Sequence, residues 1–534
     1  MKLIIRNKRG ITLIALIITI VMLLILAGVA ISSIKEDGIP IKASEATDEH
    51  IKAEITEVAT LGHMECCLIK GIKSDSEIQS YIDNYMKNSS ISEKDLEDYT
   101  ILAGTWGVKV FKNDEVGKIV NVKDYGASGD GSKDDTLAIR EAVDFINSDS
   151  NTEFFTLYFP NGVYKVSILK ESYSDKVVFD ANGNLKSATD GETGGNVIKI
   201  TNTTAKAIVI DFAGSTLELE KNSYPGWQII SAVDSKNLII KNGTLIGDRK
   251  EHIYLPGDGS GNGGLSDHYE THEHAHGMRL VRCSNVTVEN MNISNMPGDG
   301  ICISGKVTSI TTINNCNIHH CRRQGVTVSV SDTTNISNSK IHHIGTHDGI
   351  AGTMPMAGVD IEPSPRDTKV AKNVNIQNTS ITEITEAGVV VGGSVDIPCE
   401  KLSILNCTIE KLDPQAMCGE AIVNNSTLIY NKISYVEKAI IHESKIEITD
   451  NTYVRFDTCE ITSSVIEATD NGTGRFTIAG EEFILNNNIF KNFKGGTNTG
   501  FSDTNTGLKY PLGNSGIENR KFVELCRESY KEWN

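Results

Sequence analysis

Residues able to perform acid–base chemistry are concentrated in one part of the sequence, in three short segments at 297–300, 321–325 and 358–362. Two carboxylates held about 6.5–9.5 Å apart can serve as the acid and the base that hydrolyse a glycosidic bond. An arginine can instead neutralise the carboxylate of a uronic acid while a base removes the neighbouring proton, as a lyase or an epimerase requires. Both chemistries fit these segments, and the candidate catalytic residues are Asp299, Arg323, Asp360, Glu362 and His276.

A second polar set lies in a long loop after Gly247 and in the segment before Gly277. The candidate substrate-binding residues are Asp248, Arg249, His252, His272, Glu273 and Arg322. His272, His274 and His276 alternate along the chain and could ligate Zn²⁺ from one strand face, but the polarity of a loop explains them without a metal. No metal ligands are assigned, and Ca²⁺ enters only as an alternative to arginine for neutralising a sugar carboxylate.

A repeat running from about Lys236 to Phe493 indicates which elements position these residues. One phrase of the repeat is an Asn with an apolar residue three places later, at Asn242, Asn290, Asn315, Asn338, Asn378 and Asn406. A second phrase is a Gly followed by alternating apolar residues, at Gly277, Gly300, Gly325, Gly358 and Gly388; the first three lie 23 and 25 residues apart. This period predicts an all-β fold, a right-handed parallel β-helix solenoid whose Asn side chains hydrogen-bond from coil to coil at the turns.

The same repeat predicts a single site. Alignment of the glycines places His276, Asp299 and Gln324 in one column, with Arg322 and Arg323 beside it. Strand alternation turns Asp360 and Glu362 out of the apolar core. Because neighbouring coils lie about 4.8 Å apart, we expect the candidate catalytic residues to meet on one outer face, within reach of one sugar.

The N-terminus predicts a membrane anchor. Four basic residues within the first nine positions precede an uncharged, largely apolar stretch from Gly10 to Ile34. A stretch of about 20 apolar residues can span a bilayer as a helix, and the basic residues before it predict that the rest of the chain is outside. The predicted domains are 1–34 (signal and transmembrane α-helix), 35–115 (helical stalk and small linker module), 116–495 (β-helix) and 496–534 (C-terminal tail).

Residues 8–14, Lys-Arg-Gly-Ile-Thr-Leu-Ile, followed by the long apolar helix, resemble the signal of type IV prepilins and pseudopilins. The resemblance covers about residues 5–70 and implies cleavage between Gly10 and Ile11 by a prepilin peptidase. Pilins usually carry Glu at the fifth mature position, where this chain has Ala15, and this departure bears on whether the chain enters a filament.

Residues 122–136 (VKDYGASGDGSKDDT) and 157–164 (LYFPNGVY) resemble the N-terminal signature of the pectate-lyase superfamily, which includes polygalacturonase-like enzymes and phage tailspikes. The resemblance runs from about 118 to 495 and implies a right-handed parallel β-helix that acts on a polysaccharide. Polygalacturonases carry Gly-His-Gly on the coil after their aspartates. Here that coil reads Arg323-Gln324-Gly325, which argues against simple polygalacturonase chemistry.

Composition restricts the partners. The formal net charge of −18 argues against nucleic acid, because phosphate binding needs clustered Lys and Arg. The expected function is that of a membrane-anchored polysaccharide hydrolase or lyase on the extracellular face, acting on an extended glycan that can contain uronates. The alternatives are a non-catalytic glycan-binding or structural surface protein and a pilin-like subunit. The expected partners are polysaccharide, the membrane and a prepilin peptidase, and a homo-oligomer is compatible with the sequence.

Overall fold

The computed structural model describes residues 39–492 except 114–116, 169–176, 180–184, 189–194, 225, 255–271, 306–309, 364–369, 393–398, 415–417, 470–473 and 479–483, together with 501–503 and 509–512. The predicted transmembrane helix at 1–34, including Gly10 and Ile11, lies outside the described residues. Within the described ranges, no helix is both long enough and apolar enough to cross a membrane. The chain divides into two compact units, Met1–Val116 and Gly117–Asn534.

The first unit is a small mixed module. Its helices are Ile39–Met64, the π-helix Glu65–Ile69, Asp75–Lys87 and Glu93–Glu97, and its two antiparallel strands are Tyr99–Gly104 and Gly107–Lys112. The predicted stalk is therefore helical. Its Ile55 and Ala59 are buried in one apolar cluster with Ile78, Ile82 and Tyr99, so this part of the helix packs within the module.

The second unit is dominated by two parallel sheets. The shorter sheet has the strands Gly195–Ile200, Gly226–Val233, His274–Val281, Ile301–Ser304, Gln324–Val328, Ala357–Ile361, Ala387–Val391 and Leu412–Pro414. The longer sheet has the strands Lys118–Asn121, Asp130–Asp134, Phe154–Tyr158, Val163–Val166, Ala207–Asp211, Thr216–Leu219, Lys236–Ile246, Ser284–Ser294, Ile310–Asn314, Asn317–His319, Ser331–Ser337, Lys340–Ile344, Ala371–Gln377, Ser380–Ile384, Cys399–Leu405, Thr408–Glu410, Cys418–Asn424, Thr427–Tyr430, Ser434–His442, Lys445–Ile448, Tyr453–Thr462, Val465–Ala468, Arg475–Ile478, Ile484–Asn486, Ile489–Lys491, Phe501–Asp503 and Lys509–Leu512.

Strand register shows how the coils stack. In the shorter sheet Met278 pairs with Ile301, Ile301 with Val326 and Val326 with Val359. Each of these side chains is fully buried, because each coil covers the apolar face of the next. The long parallel sheets agree with the predicted β-helix. A separate antiparallel pair, Val177–Phe179 and Leu185–Ala188, and the 3₁₀ turn Val122–Tyr125 complete the unit's other elements.

The Asn column behaves as predicted. Its members adopt positive φ, for example 61° at Asn242, 55° at Asn290 and 52° at Asn315. Asn tolerates this left-handed conformation better than most residues. The Asn315 amide donates to Asn290 Oδ1 at 2.8 Å, and the Asn290 amide donates to Asn242 Oδ1 at 3.0 Å. Asn therefore turns the chain and links successive coils.

The glycine column has a different cause. A Cβ on Gly300 would lie 2.7 Å from the carbonyl oxygen of Gly325, and a Cβ on Gly325 would lie 2.5 Å from that of Gly358. No side chain fits at these distances, so glycine is required where each strand of the shorter sheet begins to pack on the next.

A helix packs against the first coils of the solenoid. Thr136–Ser148 buries an apolar face that includes Ile139, Val143 and Ile146, all part of the solenoid core. The helix start is satisfied locally, since Asp134 Oδ1 accepts from the Thr136 N–H at 2.9 Å. The apolar end of the solenoid is thus covered by an amphipathic helix.

Candidate functional site

The strands of the shorter sheet bring two columns of polar residues together. The observed register aligns His276, Asp299 and Gln324, as predicted from the glycine spacing. A second column, three residues further along each strand, contains Cys302, Thr327 and Asp360. The two columns lie side by side and their polar groups form one network.

Arg323 lies at the centre of this network. Its Nη1 donates to Asp299 Oδ1 at 3.2 Å and to Gln324 Oε1 at 2.5 Å. Its Nε lies 3.6 Å from Glu273 Oε2, and its Nη2 lies 3.6 Å from Glu362 Oε2. We call Arg323 with Glu273, Asp299, Asp360 and Glu362 the acid cluster.

Side chains on the second column connect the cluster internally. The Gln324 amide donates to Asp360 Oδ2. The Thr327 hydroxyl lies 2.7 Å from Asp299 Oδ2 and also contacts Gln324 Oε1. These contacts fix the carboxylates of two coils relative to one another.

The expectation of an open outer face is wrong for three of the candidate catalytic residues. Asp299, Asp360 and His276 expose only 0, 2 and 3% of their surface, whereas the Glu362 side chain is 44% exposed. These side chains do leave the apolar core, but residues of neighbouring coils cover them. Coils stacked at strand spacing leave little room between polar side chains, and Arg323 fills what remains.

Burial perturbs the titration of these groups. Burial, followed by the charge of Glu362, raises the pKa of Asp360 well above its usual value, and Asp360 and Glu362 share a hydrogen bond. Burial also raises the pKa of Asp299, although Arg323 opposes this. Burial alone would lower the pKa of Arg323, but Asp299 and Glu273 raise it overall. The hydrogen bond and the raised pKa of Asp360 mean that the Asp360–Glu362 pair can hold a proton where an isolated carboxylate would not.

His276 has a defined tautomer in this arrangement. Its Nδ1 accepts from the Asp299 backbone N–H at 3.1 Å, so a neutral ring carries its proton on Nε2. Burial lowers the pKa of His276 well below its usual value. The one basic lone pair of the neutral ring is therefore already engaged, and His276 is poorly placed to accept a proton from a substrate as the sequence suggested.

Three residues of this network carry groups that can ligate a metal. His276, Asp299 and Cys302 can present ligand atoms within 4.8 Å of one another, but burial raises the pKa of the Cys302 thiol to about 12. Ca²⁺ would need several oxygen ligands around an open point. In the acid cluster Arg323 occupies that point, so the arrangement does not favour Ca²⁺ there.

The second polar set forms a buried relay. His252 Nδ1 lies 2.8 Å from Asp248 Oδ2, and His252 Nε2 lies 2.7 Å from His272 Nδ1. The structure does not group His272 with His274 and His276 as metal ligands within the described residues. Burial, then the charge of His252, lowers the pKa of His272 to about 3.

Four of the predicted substrate-binding residues are therefore covered. Asp248, Arg249, His252 and His272 are all buried, in contrast to the expectation that they contact a sugar. They are covered because they bond to other parts of the protein. Arg249, for example, donates through Nη2 to the carbonyls of Gly345 and His347, at 3.1 and 2.9 Å.

Arg322 supports the insertion at 345–356. Its guanidinium stacks 4.5 Å above the Tyr254 ring, and its Nε donates to the Ala351 carbonyl at 2.9 Å. Arg249 and Arg322 thus hold this insertion from two sides. Glu273 is the one predicted binding residue that joins the acid cluster directly.

Sequence reasoning missed Thr327 and Cys302. Both lie in the second polar column, which a register argument could have found, because each lies three residues after a member of the first column.

An open concavity of about 740 Å³ lies elsewhere, along the Asn column, and is lined by residues including Asn290, Asn315 and His342.

Two family models match the chain. Residues 119–327 match "Rhamnogalacturonase A/epimerase, pectate lyase-like", and residues 251–432 match "Right handed beta helix region". Together the matches span residues 119–432, which include the acid cluster and most of the solenoid. They support the pectate-lyase superfamily and the right-handed sense of the coils.

Sequence relatives cover parts of the solenoid. The uncharacterized protein YclG of Bacillus subtilis is 25% identical over 301 residues, which are 52% of this chain and 45% of YclG. Alginate lyase 7 of Azotobacter vinelandii is 40% identical over 80 residues, 15% of this chain and 9% of that protein. The chain spans less than half the length of these relatives.

Among solved structures, the A-module of the Azotobacter vinelandii mannuronan C-5 epimerase AlgE6 aligns with a TM-score of 0.43 at 13% identity. The alignment covers 74% of this chain and 99% of the module.

Proposed function

We propose that this pectate-lyase-like β-helix is a polysaccharide-degrading enzyme that works by acid–base hydrolysis at the acid cluster. The observation that carries the proposal is the hydrogen-bonded pair of buried Asp360 and half-exposed Glu362. A buried carboxyl whose pKa is raised, next to a solvent-facing carboxyl, is the arrangement that glycoside hydrolysis needs in its acid.

Each residue has a distinct role in this proposal. The Asp360–Glu362 pair donates its proton to the glycosidic oxygen through Glu362, the member that reaches solvent. Glu273, the other partly exposed carboxylate at Arg323, removes a proton from the water that attacks the anomeric carbon. Arg323 and Asp299 are positioning residues, because Arg323 holds both glutamates and is itself held by Asp299.

Two contacts favour hydrolysis over a lyase or epimerase reaction. Arg323 already faces four carboxylates, so it is poorly available to neutralise a sugar carboxylate. The Nδ1 of His276 is occupied by the Asp299 N–H, which argues against His276 as the base. A lyase is kept as the second candidate because of the similarity to alginate lyase 7 and to the pectate lyase-like family model.

A non-catalytic glycan-binding protein is the rival from another class. The concavity along the Asn column offers amide groups to sugar hydroxyls and does not need the acid cluster.

A panel of neutral and uronate-containing polysaccharides separates these candidates. A hydrolase releases new reducing ends without ultraviolet absorbance from unsaturated uronates. A lyase releases both signals together. A binder retains glycan in an affinity assay, and no product forms at any protein concentration.

We also propose that the chain is anchored in the membrane by residues 1–34, with the solenoid on the extracellular face. The support is the sequence alone: four basic residues, then an uncharged stretch, with Gly10 at the prepilin-like junction. A cell-surface location agrees with a polymeric substrate too large to enter the cell.

A further inference from the structure

Four histidines on two successive coils form a stack outside the acid cluster. His319 ends one strand of the longer sheet and is followed by His320. On the next coil His342 pairs with His319 and is followed by His343. The rings of His319 and His342 are parallel with centroids 5.0 Å apart, and those of His320 and His343 lie 4.7 Å apart. We call these four residues the histidine ladder.

The backbone turns sharply at the second histidine of each pair. His320 and His343 have φ of 55° and 53°, and Glu383 has φ of 58° at the equivalent turn of the following coil. The turn points a carboxylate on one coil at an imidazole on the coil before it, as shown by the 2.6 Å distance between His343 Nδ1 and Glu383 Oε2.

Three ligand-type atoms converge at this turn. His342 Nδ1 lies 2.8 Å from His343 Nδ1, which in turn contacts Glu383. The ligand atoms of His342, His343 and Glu383 all lie within 4.8 Å of one another. Without a metal, such a group must share protons between its nitrogen and oxygen atoms.

Asn317, beside the histidines, sets the tautomer of His342. Its Nε2 lies 3.0 Å from Asn317 Oδ1, and the Asn317 amide nitrogen donates to Asn292 Oδ1 at 2.8 Å. The Asn317 oxygen therefore faces the ring and accepts the Nε2 proton. A neutral His342 then keeps a lone pair on Nδ1, directed at His343.

A second, independent observation near the histidine ladder concerns the buried imidazole nitrogen of His347. His347 Nε2 is buried and has no hydrogen-bond partner among the described residues, and its ring lies 5.2 Å from that of His343. Asp348 Oδ2 lies 3.5 Å from His320 Nε2. Buried polar atoms are nearly always satisfied, so an unsatisfied imidazole nitrogen beside other imidazoles is a second indication of ligand binding in this region.

We propose that His342, His343 and Glu383 bind a divalent transition-metal ion of the Zn²⁺ class. Two imidazoles and one carboxylate match Zn²⁺, Co²⁺ or Ni²⁺, whereas Ca²⁺ and Mg²⁺ prefer sites made of oxygen. The ion takes the place of the proton now shared between the three groups. Zn–N bonds of about 2.0–2.1 Å require the ligand atoms to separate slightly. The side chains of His343 and Glu383 are partly exposed and can move to allow this.

The site is reachable and lies next to a structural insertion. His342 lines the concavity along the Asn column, so an ion can enter from solvent. His343 directly precedes the segment 345–356 that Arg249 and Arg322 hold. Metal binding would therefore stabilise the start of that insertion. This inference does not depend on the proposed hydrolysis.

Three substitutions test the site while respecting the local backbone. His343→Asn tolerates the positive φ, His342→Thr copies the Thr382 that occupies its register on the next coil, and Glu383→Gln keeps the side-chain shape. His442→Gln is the matched control, because it removes a partly exposed histidine that contacts a threonine and a glutamate elsewhere on the solenoid.

Binding of Zn²⁺ to the full chain would be measured by equilibrium dialysis and by competition with a coloured chelator. We expect each of the three variants to bind one ion fewer per chain, or that ion at least about tenfold more weakly. The control variant keeps the ion. Co²⁺ substitution gives visible absorption from nitrogen ligation, and this absorption disappears in the variants.

Melting temperature without metal shows whether each variant is folded. The proposal is overturned if a folded His342→Thr/His343→Asn double variant binds Zn²⁺ with the stoichiometry and affinity of the unsubstituted chain. It is also overturned if the unsubstituted chain binds no Zn²⁺, or if Ca²⁺ displaces Zn²⁺ at equal concentration.

Discussion

Arg323 is the residue on which the acid cluster depends most. It is nearly covered, and its guanidinium faces Asp299, Glu273 and Glu362. Removing one partner from a buried charged network leaves the others without compensation, whereas exposed pairs contribute little. The sequence predicts that this position lies on an outer face. The structure places it in a largely buried ion network, which gives it a structural role.

We predict that Arg323→Ala destabilises the solenoid by about 3–5 kcal/mol, because it leaves buried Asp299 without its counter-charge. Urea unfolding followed by circular dichroism measures the change. Arg455→Ala is the control: its pair with Asp457 is partly exposed, so its loss costs less than about 1 kcal/mol. Equal, small effects for both variants would show that the acid cluster is solvated rather than buried.

The lowered pKa of His272 predicts how the free energy of unfolding changes with acid. Its pKa is about 3 in the folded chain, below its usual value of 6.5, because it is buried beside His252. Between these values the unfolded chain binds a proton that the folded chain does not. This contribution to stability is complete above pH 6.5 and is lost as the pH falls, by at most about 1.4 kcal/mol per pH unit.

His272→Asn, which tolerates the φ of 55° at this position, should therefore reduce the dependence of unfolding free energy on pH over this range. Urea unfolding at a series of pH values measures the slope. If the variant and the unsubstituted chain lose stability with the same slope, His272 is not a neutral buried group and the relay is misassigned.

At the scale of elements, much could be predicted because the repeat expresses backbone requirements directly. The Asn column follows from a turn with positive φ, and the Gly column follows from coils that approach too closely for a Cβ. The glycine alignment predicted that Arg323 lies beside Asp299, and strand alternation predicted that Asp360 and Glu362 leave the apolar core. The period did not predict that Glu273 joins them. It also could not predict their burial, because burial depends on the side chains of neighbouring coils and on insertions such as 345–356, which break the period.

The histidine ladder illustrates the same limit. His319 and His342 occupy a predictable register, but the convergence of His343 and Glu383 depends on turn conformation at successive coils. The period alone does not say which polar side chains follow a turn or how long the next connection is.

Asn315 provides a test at the element scale. Ala at φ of 52° costs about 1–2 kcal/mol and Gly does not, while both substitutions remove the bond to Asn290. We predict that Asn315→Ala is less stable than Asn315→Gly by about 1 kcal/mol. Thermal melting of the two variants measures this difference. A more stable Ala variant would mean that the turn does not need its left-handed conformation.

At the scale of the whole molecule, the chain combines a large β-helix with a small N-terminal module. The two family models match within the β-helix, between 119 and 432. The proposed anchor rests on the basic and apolar residues at positions 1–34. Its processing is the prediction that depends most on the sequence alone.

Mass spectrometry of the mature protein tests that processing. A prepilin peptidase needs the small residue between the basic head and the apolar helix, so we predict Ile11 as the mature N-terminus. Gly10→Leu should abolish the cut, and Ala15→Glu, which restores the residue usual in pilins, should leave it unchanged. An intact Met1 or a cut after Ala30 in the unsubstituted chain would contradict the prepilin interpretation.

The most direct test of the central claim compares Glu362→Gln with Glu420→Gln on a glycan that the unsubstituted protein cleaves. Glu420 is a similarly exposed carboxylate in an ion pair with Lys401, remote from the acid cluster. Loss of the proton-donating carboxyl should lower kcat by at least about 100-fold with little change in melting temperature. The Glu420 variant should keep full turnover. Unchanged turnover in Glu362→Gln would contradict the account.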